Sequence, residues 1–195
     1  MRFRALVTAT VSLALAGTLT AFVAADDPIA SLNRSIQERF KDVDKNFGLR
    51  RIVVIGDTPH QFRPESVSES SAVQELKDAR LHVAFYLAGR RVLDREPHLT
   101  TKEPTLLDRR VIFGPIAVTD PELASELPDA ISLIDESRVA FHTLAKHERH
   151  DFDREGWKFT ARAVRATGEQ CLTCHRGRTI GDPLGVVLYA HRSRD

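Results

Sequence analysis

The chain has two cysteines, three positions apart in a pentapeptide that ends in histidine, Cys171-Leu172-Thr173-Cys174-His175. This spacing is the attachment pattern for a c-type haem. On one helical turn, two thiols at this separation reach the two vinyl groups on one edge of a porphyrin, and the imidazole that follows projects toward the iron. The pentapeptide therefore predicts one covalently bound haem c, with His175 as the proximal iron ligand.

Two other uses of a CxxC pair remain open. Two thiolates together with two histidines can bind zinc. In an oxidising compartment, the two cysteines can also form a structural or redox-active disulfide. Neither use requires a histidine directly after the second cysteine, so the position of His175 favours haem.

The N-terminal segment has the three parts of a secretory signal peptide. A basic start (residues 1–4) precedes a charge-free apolar run from Ala5 to Val23, and small residues follow up to Ala25. We expect cleavage after Ala25, which leaves residues 26–195 as a single haem-binding domain in the periplasm. The alternative is an uncleaved N-terminal membrane anchor, because the apolar run is nearly long enough to span a bilayer. Export agrees with the motif, since bacteria attach haem c outside the cytoplasmic membrane.

The charge balance gives no support to a nucleic-acid partner. The formal net charge is +1 for the whole chain. Because the predicted signal peptide carries Arg2 and Arg4 and no acidic residue, its removal lowers this charge to −1. Nucleic-acid-binding domains carry a strong positive excess instead. We also expect no membrane span after cleavage, since no later stretch is long and apolar enough.

Hydrophobic periodicity predicts an α+β fold. It indicates helices over residues 28–47, 65–80 and 128–150, strands over 49–55, 81–93, 110–119, 157–163 and 184–190, and an acidic turn at 151–155. Because these strands do not alternate regularly with helices, we expect an antiparallel sheet of about five strands with flanking helices. The haem motif then lies near the C-terminus, between the last two strands, with the haem near one edge of the sheet.

The group opposite His175 determines what the iron does, because distal ligation separates electron transfer from ligand binding and catalysis. The only methionine is Met1, so cleavage excludes the common His/Met iron. An open position, a lysine or a terminal amine are alternatives to a histidine ligand. The candidate histidines are His147, His150, His142, His82 and His60. For the pair in 146–150, the alternative is that the basic run complements the dipole at the end of a helix.

Three further residues are candidates for contact with the haem. Arg176 and Arg178 follow the motif, and a guanidinium pairs bidentately with a carboxylate such as a haem propionate. The alternative is a solvated basic loop. Trp157 lies on the predicted strand before the motif and is expected to pack against the porphyrin, or else to fill the core. No paired carboxylates, phosphate-binding glycine-rich loop or nucleophilic triad are visible, so we name no catalytic residue.

With its export signal, CLTCH at 171–175 resembles the motif of the c-type cytochromes. The chain departs from the small soluble members, whose motif is N-terminal with a methionine downstream, and from cytochromes c prime, whose motif lies on the last helix of a bundle. The late motif, short loop and closing segment 180–186 are similar to periplasmic haem-binding PAS-like sensor domains. Segment 156–159 is similar to a tryptophan-bearing strand in β-rich hydroxylamine-oxidising or nitric-oxide-binding cytochromes. Catalytic members of that group crosslink a lysine to the haem, for which Lys102 is the candidate here.

These resemblances imply a periplasmic monohaem c-type cytochrome that transfers electrons to or from a redox partner protein. The first alternative is a haem-based sensor or gas-binding module with an open distal site and a small gaseous ligand. The second is a small haem enzyme that acts on nitrogen oxides or peroxide. A carrier or sensor is favoured over an enzyme.

Overall fold

The structure, a computed structural model, describes residues 27–41, 61–89 and 112–194. The helices are α1 (Ala30–Lys41), α2 (Val67–Asp78), α3 (Ile134–Leu144) and α4 (Glu169–Cys174), with short 3-10 helices at Pro121–Glu126 and Ala130–Leu133. The strands are β1 (Leu81–Gly89), β2 (Ile112–Ala117), β3 (His150–Arg154), β4 (Trp157–Arg165) and β5 (Pro183–Ser193). The expected signal peptide, the strand expected over 49–55, His60 and Lys102 lie outside the described residues.

The five strands form one antiparallel sheet in the order β2-β1-β5-β4-β3. The expected α+β fold with a five-stranded antiparallel sheet is therefore confirmed. The pentapeptide follows β4 and precedes β5, which are two inner strands. The motif consequently lies at one end of the inner strands, whereas the sequence predicted the haem near an edge of the sheet.

Both faces of the sheet are covered, because the inner strands are apolar on both sides. In β1, Val83, Phe85 and Leu87 pack with α1 and α2, while Ala84 and Tyr86 belong to the core on the α3 side. The central strand β5 is buried from its first residue to Ala190. Residues that alternate along β1 thus face opposite sides of the sheet, and both sides are buried. This arrangement is expected for an inner strand.

Both N-terminal helices begin at side-chain caps. The Asp27 carboxylate accepts a hydrogen bond from the N–H of Ile29 at 3.0 Å, just before α1. A capping box opens α2, where the Ser66 hydroxyl accepts from the N–H of Glu69 and the Glu69 carboxylate accepts from the N–H of Ser66. Helix α2 is shorter than the predicted 65–80, and α1 begins two residues after the predicted start at Pro28. The last part of the first predicted helix, residues 42–47, lies outside the described ranges.

The helix expected over 128–150 is wrong in its last part. A 3-10 turn precedes α3, which ends at Leu144, and His150 already begins β3. The expected acidic turn is also wrong, since β3 forms a hairpin with β4 through Glu155 and Gly156. These two residues have φ values of 51° and 78°, as a two-residue type I′ turn requires.

The strand expected over 110–119 is confirmed as β2, over Ile112–Ala117. Its register against β1 shifts between Phe85 and Leu87, opposite Gly114 and Pro115. In the described ranges 27–41, 61–89 and 112–194, no helix combines the length and apolar character needed to cross a membrane.

Candidate functional site

The pentapeptide lies in a loop whose two ends are hydrogen-bonded to each other. The N–H of Ala166 donates to the carbonyl of Asp182 at 2.9 Å, and the N–H of Gly181 donates to the carbonyl of Ala166 at 2.8 Å. These bonds continue the pairing of β4 and β5 by one step. They fix where the loop leaves and rejoins the sheet, so the motif is held at the end of two inner strands.

The short helix α4 carries both cysteines and ends at the second one. The N–H of Cys171 donates to Gly168 at 3.0 Å, and the N–H of His175 donates to the carbonyl of Cys171 at 3.1 Å. Cys171 is buried in a small apolar cluster with Ala166 and Leu184. It is a free cysteine whose Sγ lies 3.8 Å from the Thr167 hydroxyl. The helical turn therefore places Cys171 and His175 one turn apart, with His175 half-buried.

The turn after the motif has its own acidic centre. The Asp182 carboxylate accepts a hydrogen bond from the N–H of Thr179 at 2.8 Å. This bond is the main cause that lowers the pKa of Asp182, and the positive charges of Arg178 and Arg165 add to it. Arg178 is half-buried and Arg176 exposed. The two arginines predicted to pair with haem propionates thus differ in their surroundings, because Arg178 is half-buried and interacts electrostatically with Asp182, whereas Arg176 is exposed.

Arg165, the last residue of β4, connects this turn to the end of α3. Its Nη1 donates to the carbonyl of Gly181 at 2.9 Å. Its Nη2 donates to the carbonyl of Leu144 at 2.7 Å and to that of His147 at 3.4 Å. The exposed loop that carries His147 is therefore held at the same end of the sheet as the pentapeptide.

The described candidate histidines fall into two groups. His142 is exposed on the last turn of α3, and His147 follows in the loop bound by Arg165, so both lie toward the motif. His150 pairs with Ala161, part of the way along β4. His82 pairs with Arg192 at the opposite end of the sheet, where its Nδ1 is hydrogen-bonded to Asp120 at 2.9 Å.

Trp157 is not brought to the motif. It is the first residue of β4, and a nine-residue strand at about 3.3 Å per residue places it about 26 Å from Arg165. Its ring is buried, its Nε1 donates to the carbonyl of Glu126 at 3.2 Å, and the Arg192 guanidinium lies 4.3 Å from the ring centroid. These contacts agree with the alternative interpretation, in which Trp157 is a core residue.

Arg165 and Asp182 are the site residues that sequence reasoning missed. Asp182 carried a local signal, because an aspartate next to Gly181 is typical of a turn. Arg165 carried none, since its partners lie about twenty residues before it and sixteen after it.

The donor set fits a covalently bound haem c. Two cysteines on one short helix and a histidine directly after it are the groups that the thioether bonds and the iron of a haem c would require. The apolar surroundings of Cys171 suit a hydrocarbon porphyrin edge. Across the described part of the chain, no three histidine, cysteine, aspartate or glutamate side chains are grouped so that they can hold a metal ion.

Comparisons with protein-family models, with curated proteins and with solved structures found no match for this chain.

Proposed function

We propose that this chain is an exported monohaem c-type cytochrome that transfers electrons in the periplasm. Cys171 and Cys174 form the thioether bonds and His175 binds the iron. When bound, haem c supplies a one-electron couple between ferrous and ferric iron. The observation that carries this proposal is the pentapeptide on α4, with His175 directly after the last helical residue.

The fold contributes position and access. The bonds between Ala166 and the segment Gly181–Asp182 fix both ends of the motif loop, so the loop departs from rigid inner strands. A site held by rigid elements needs little rearrangement when an electron arrives or leaves, which suits electron transfer. Because Arg176 and Ile180 are exposed beside the motif, this loop is the surface that we expect a redox partner protein to contact.

The sixth ligand in this proposal is a histidine from the end of α3. His142 and His147 lie toward the motif, and Arg165 binds the carbonyl of His147. His82 is separated from the motif by the length of the sheet and is hydrogen-bonded to Asp120. A ligand on an exposed loop is readily displaced. This feature favours, as a second candidate, a haem-based sensor or gas-binding module.

A PAS-like architecture is part of both candidates. The five-stranded antiparallel sheet and the strand β5 that follows the motif support it.

Absorption spectra of the oxidised and reduced protein, with and without carbon monoxide, distinguish the two candidates. Electron transfer predicts a low-spin spectrum in both states that carbon monoxide leaves unchanged. Rapid binding of carbon monoxide to the ferrous wild type would contradict it and support the sensor.

Two variants test the ligand. His147→Ala, or His142→Ala if that residue is the ligand, should produce high-spin iron that binds carbon monoxide. His82→Ala is the matched control and should keep the wild-type spectrum. If neither variant at the end of α3 changes the spectrum, the ligand assignment is wrong.

A further inference from the structure

A polar cleft lies at the end of β4, where this strand extends beyond its neighbour β3. The pairing of β3 with β4 covers Trp157 to Ala161, so residues 162–165 have no β3 partner. A cleft of about 290 Å³ opens there between α1, β4 and the loop after α3. The lining residues are Asn33, Gln37, Glu148, Arg162, Ala163 and Arg165.

Arg165 brings a positive charge to this cleft, and among the described carboxylates that of Asp182 interacts with this charge electrostatically. The acceptors of its three hydrogen bonds are all backbone carbonyl oxygens, in Gly181, Leu144 and His147. Among the described carboxylates, none forms an ion pair with it within 4 Å. Carbonyl oxygens orient a guanidinium but do not neutralise its positive charge. Arg165 is therefore oriented to bind an anionic group.

Arg162 adds a buried donor without an acceptor. One terminal nitrogen pairs with the Asp27 carboxylate, and the other donates to the carbonyl of Glu148 at 3.1 Å. Its Nε is buried and has no acceptor among residues of the described ranges. A buried N–H without an acceptor costs free energy, and an oxygen atom of a ligand in the cleft would remove that cost.

The backbone of Ala163 supplies a third donor. Its carbonyl accepts from Gln37 Nε2 at 3.1 Å, on the side where β3 would continue. In an antiparallel strand, the N–H and C=O of one residue point to the same side. The N–H of Ala163 therefore points toward the same open edge as the cleft.

We propose that this cleft binds a carboxylate group through Arg162, Arg165 and the N–H of Ala163. The volume lies at the lower end of ligand-binding pockets, which fits a small organic acid. Glu148 is the acidic lining residue and disfavours anions of higher charge. The carboxylate can belong to a free small acid or to a propionate of the bound haem, and only the second source rests on the proposed function.

The test is calorimetric titration of the full chain with succinate and, separately, with inorganic phosphate at constant ionic strength. Both haem-loaded protein and the haem-free Cys171→Ser/Cys174→Ser form are titrated. A free acid as ligand predicts saturable succinate binding to both forms, with weaker phosphate binding. A propionate as occupant predicts binding to the haem-free form alone, together with a lower reduction potential in loaded Arg165→Gln.

Variants assign the binding to the cleft. Arg165→Gln and Arg162→Gln should weaken succinate binding at least about tenfold, because each removes charged hydrogen-bond donors. Glu148→Gln should strengthen it. Arg149→Gln is the matched control, since Arg149 is exposed, pairs with Asp151 and does not line the cleft.

Three results would overturn the proposal. The first is equal affinity of the protein for phosphate and for succinate. The second is that Arg149→Gln weakens succinate binding as much as the cleft variants do. The third is that neither form binds succinate and that loaded Arg165→Gln keeps the wild-type reduction potential. If the haem-free form does not fold, the proposal is tested on the haem-loaded protein alone, by succinate titration and by the reduction potential of Arg165→Gln. If wild-type chain acquires no haem, the proposed function fails, and succinate titration of that folded chain still tests the cleft.

Discussion

Arg165 Nη1 donates to the carbonyl of Gly181 at 2.9 Å, and this bond joins the end of β4 to the turn that follows the pentapeptide. The same guanidinium also binds the carbonyls of Leu144 and His147. Three chain segments that are distant in sequence thus meet at one side chain. The motif loop and the loop after α3 are therefore placed relative to each other by Arg165.

Replacing Arg165 with glutamine should lower the free energy of unfolding by about 1–3 kcal/mol, because the three carbonyls lose a charged donor and exchange it in part for water. Urea unfolding monitored by circular dichroism measures this change. Arg149→Gln is the control and should stay within about 0.5 kcal/mol of wild type, since its ion pair with Asp151 is exposed. Equal stability of Arg165→Gln and wild type would contradict the structural role of Arg165.

The ion pair of Arg39 with Glu69 should dominate the acid sensitivity of the described α1–α2 contact. Glu69 is 3% exposed. Burial raises the pKa of its carboxyl, but the hydrogen bonds from Arg39 and from the N–H groups of Glu65 and Ser66 outweigh burial, so the pKa is lowered. A lowered pKa stabilises the fold above the ordinary value of 4.5, and this contribution is lost as pH falls below it.

Glu69→Gln should therefore destabilise the protein by about 3 kcal/mol at neutral pH, because the largely buried Arg39 guanidinium loses its close carboxylate partner and keeps only the longer, 3.8 Å contact with the exposed Glu65. The difference from wild type should shrink as pH falls below 4.5, since the unfolded wild-type chain then binds a proton at Glu69 that the folded chain takes up only at lower pH. Denaturant unfolding of both proteins at several pH values measures this difference in the free energy of unfolding. Glu75→Gln, on the exposed side of the same helix, should show neither effect. A pH-independent gap between Glu69→Gln and wild type would contradict the assignment.

Trp157→Phe should lower the stability and leave the haem spectrum unchanged. The variant loses the bond to Glu126 and part of the core volume, which costs about 1–3 kcal/mol. The absorption maxima of loaded protein should not move, because Trp157 is at the far end of β4 from the motif. A shift of these maxima with unchanged stability would mean that Trp157 contacts the porphyrin after all.

The parts of the fold that the sequence predicted are those with a local signal. The periodicity of apolar residues along 157–163 and 81–87 identified β4 and β1. The position of the motif between the last two strands followed from the same local patterns. Such signals need only the neighbours of each residue along the chain.

The errors lie where local signals were weak or misleading. Strand β3 contains one apolar residue, Phe152, because this edge strand exposes one face to solvent. Its apolar–polar alternation is therefore too weak to identify a strand from the sequence. The basic run at 146–150 looked like the last turn of a helix, because no glycine or proline marks the end of α3 at Leu144. The order of the strands and the contacts of Arg165 depend on pairs distant in sequence. No single segment carries that information.

Intact-mass measurement of the exported protein, made in cells that attach haem c, detects covalent haem attachment. Mature wild-type chain should carry the added mass of one haem, which resists extraction with acid and organic solvent. The double variant Cys171→Ser/Cys174→Ser should lack this mass. Wild-type protein without the added mass, or double variant that keeps it, would contradict covalent haem attachment at Cys171 and Cys174.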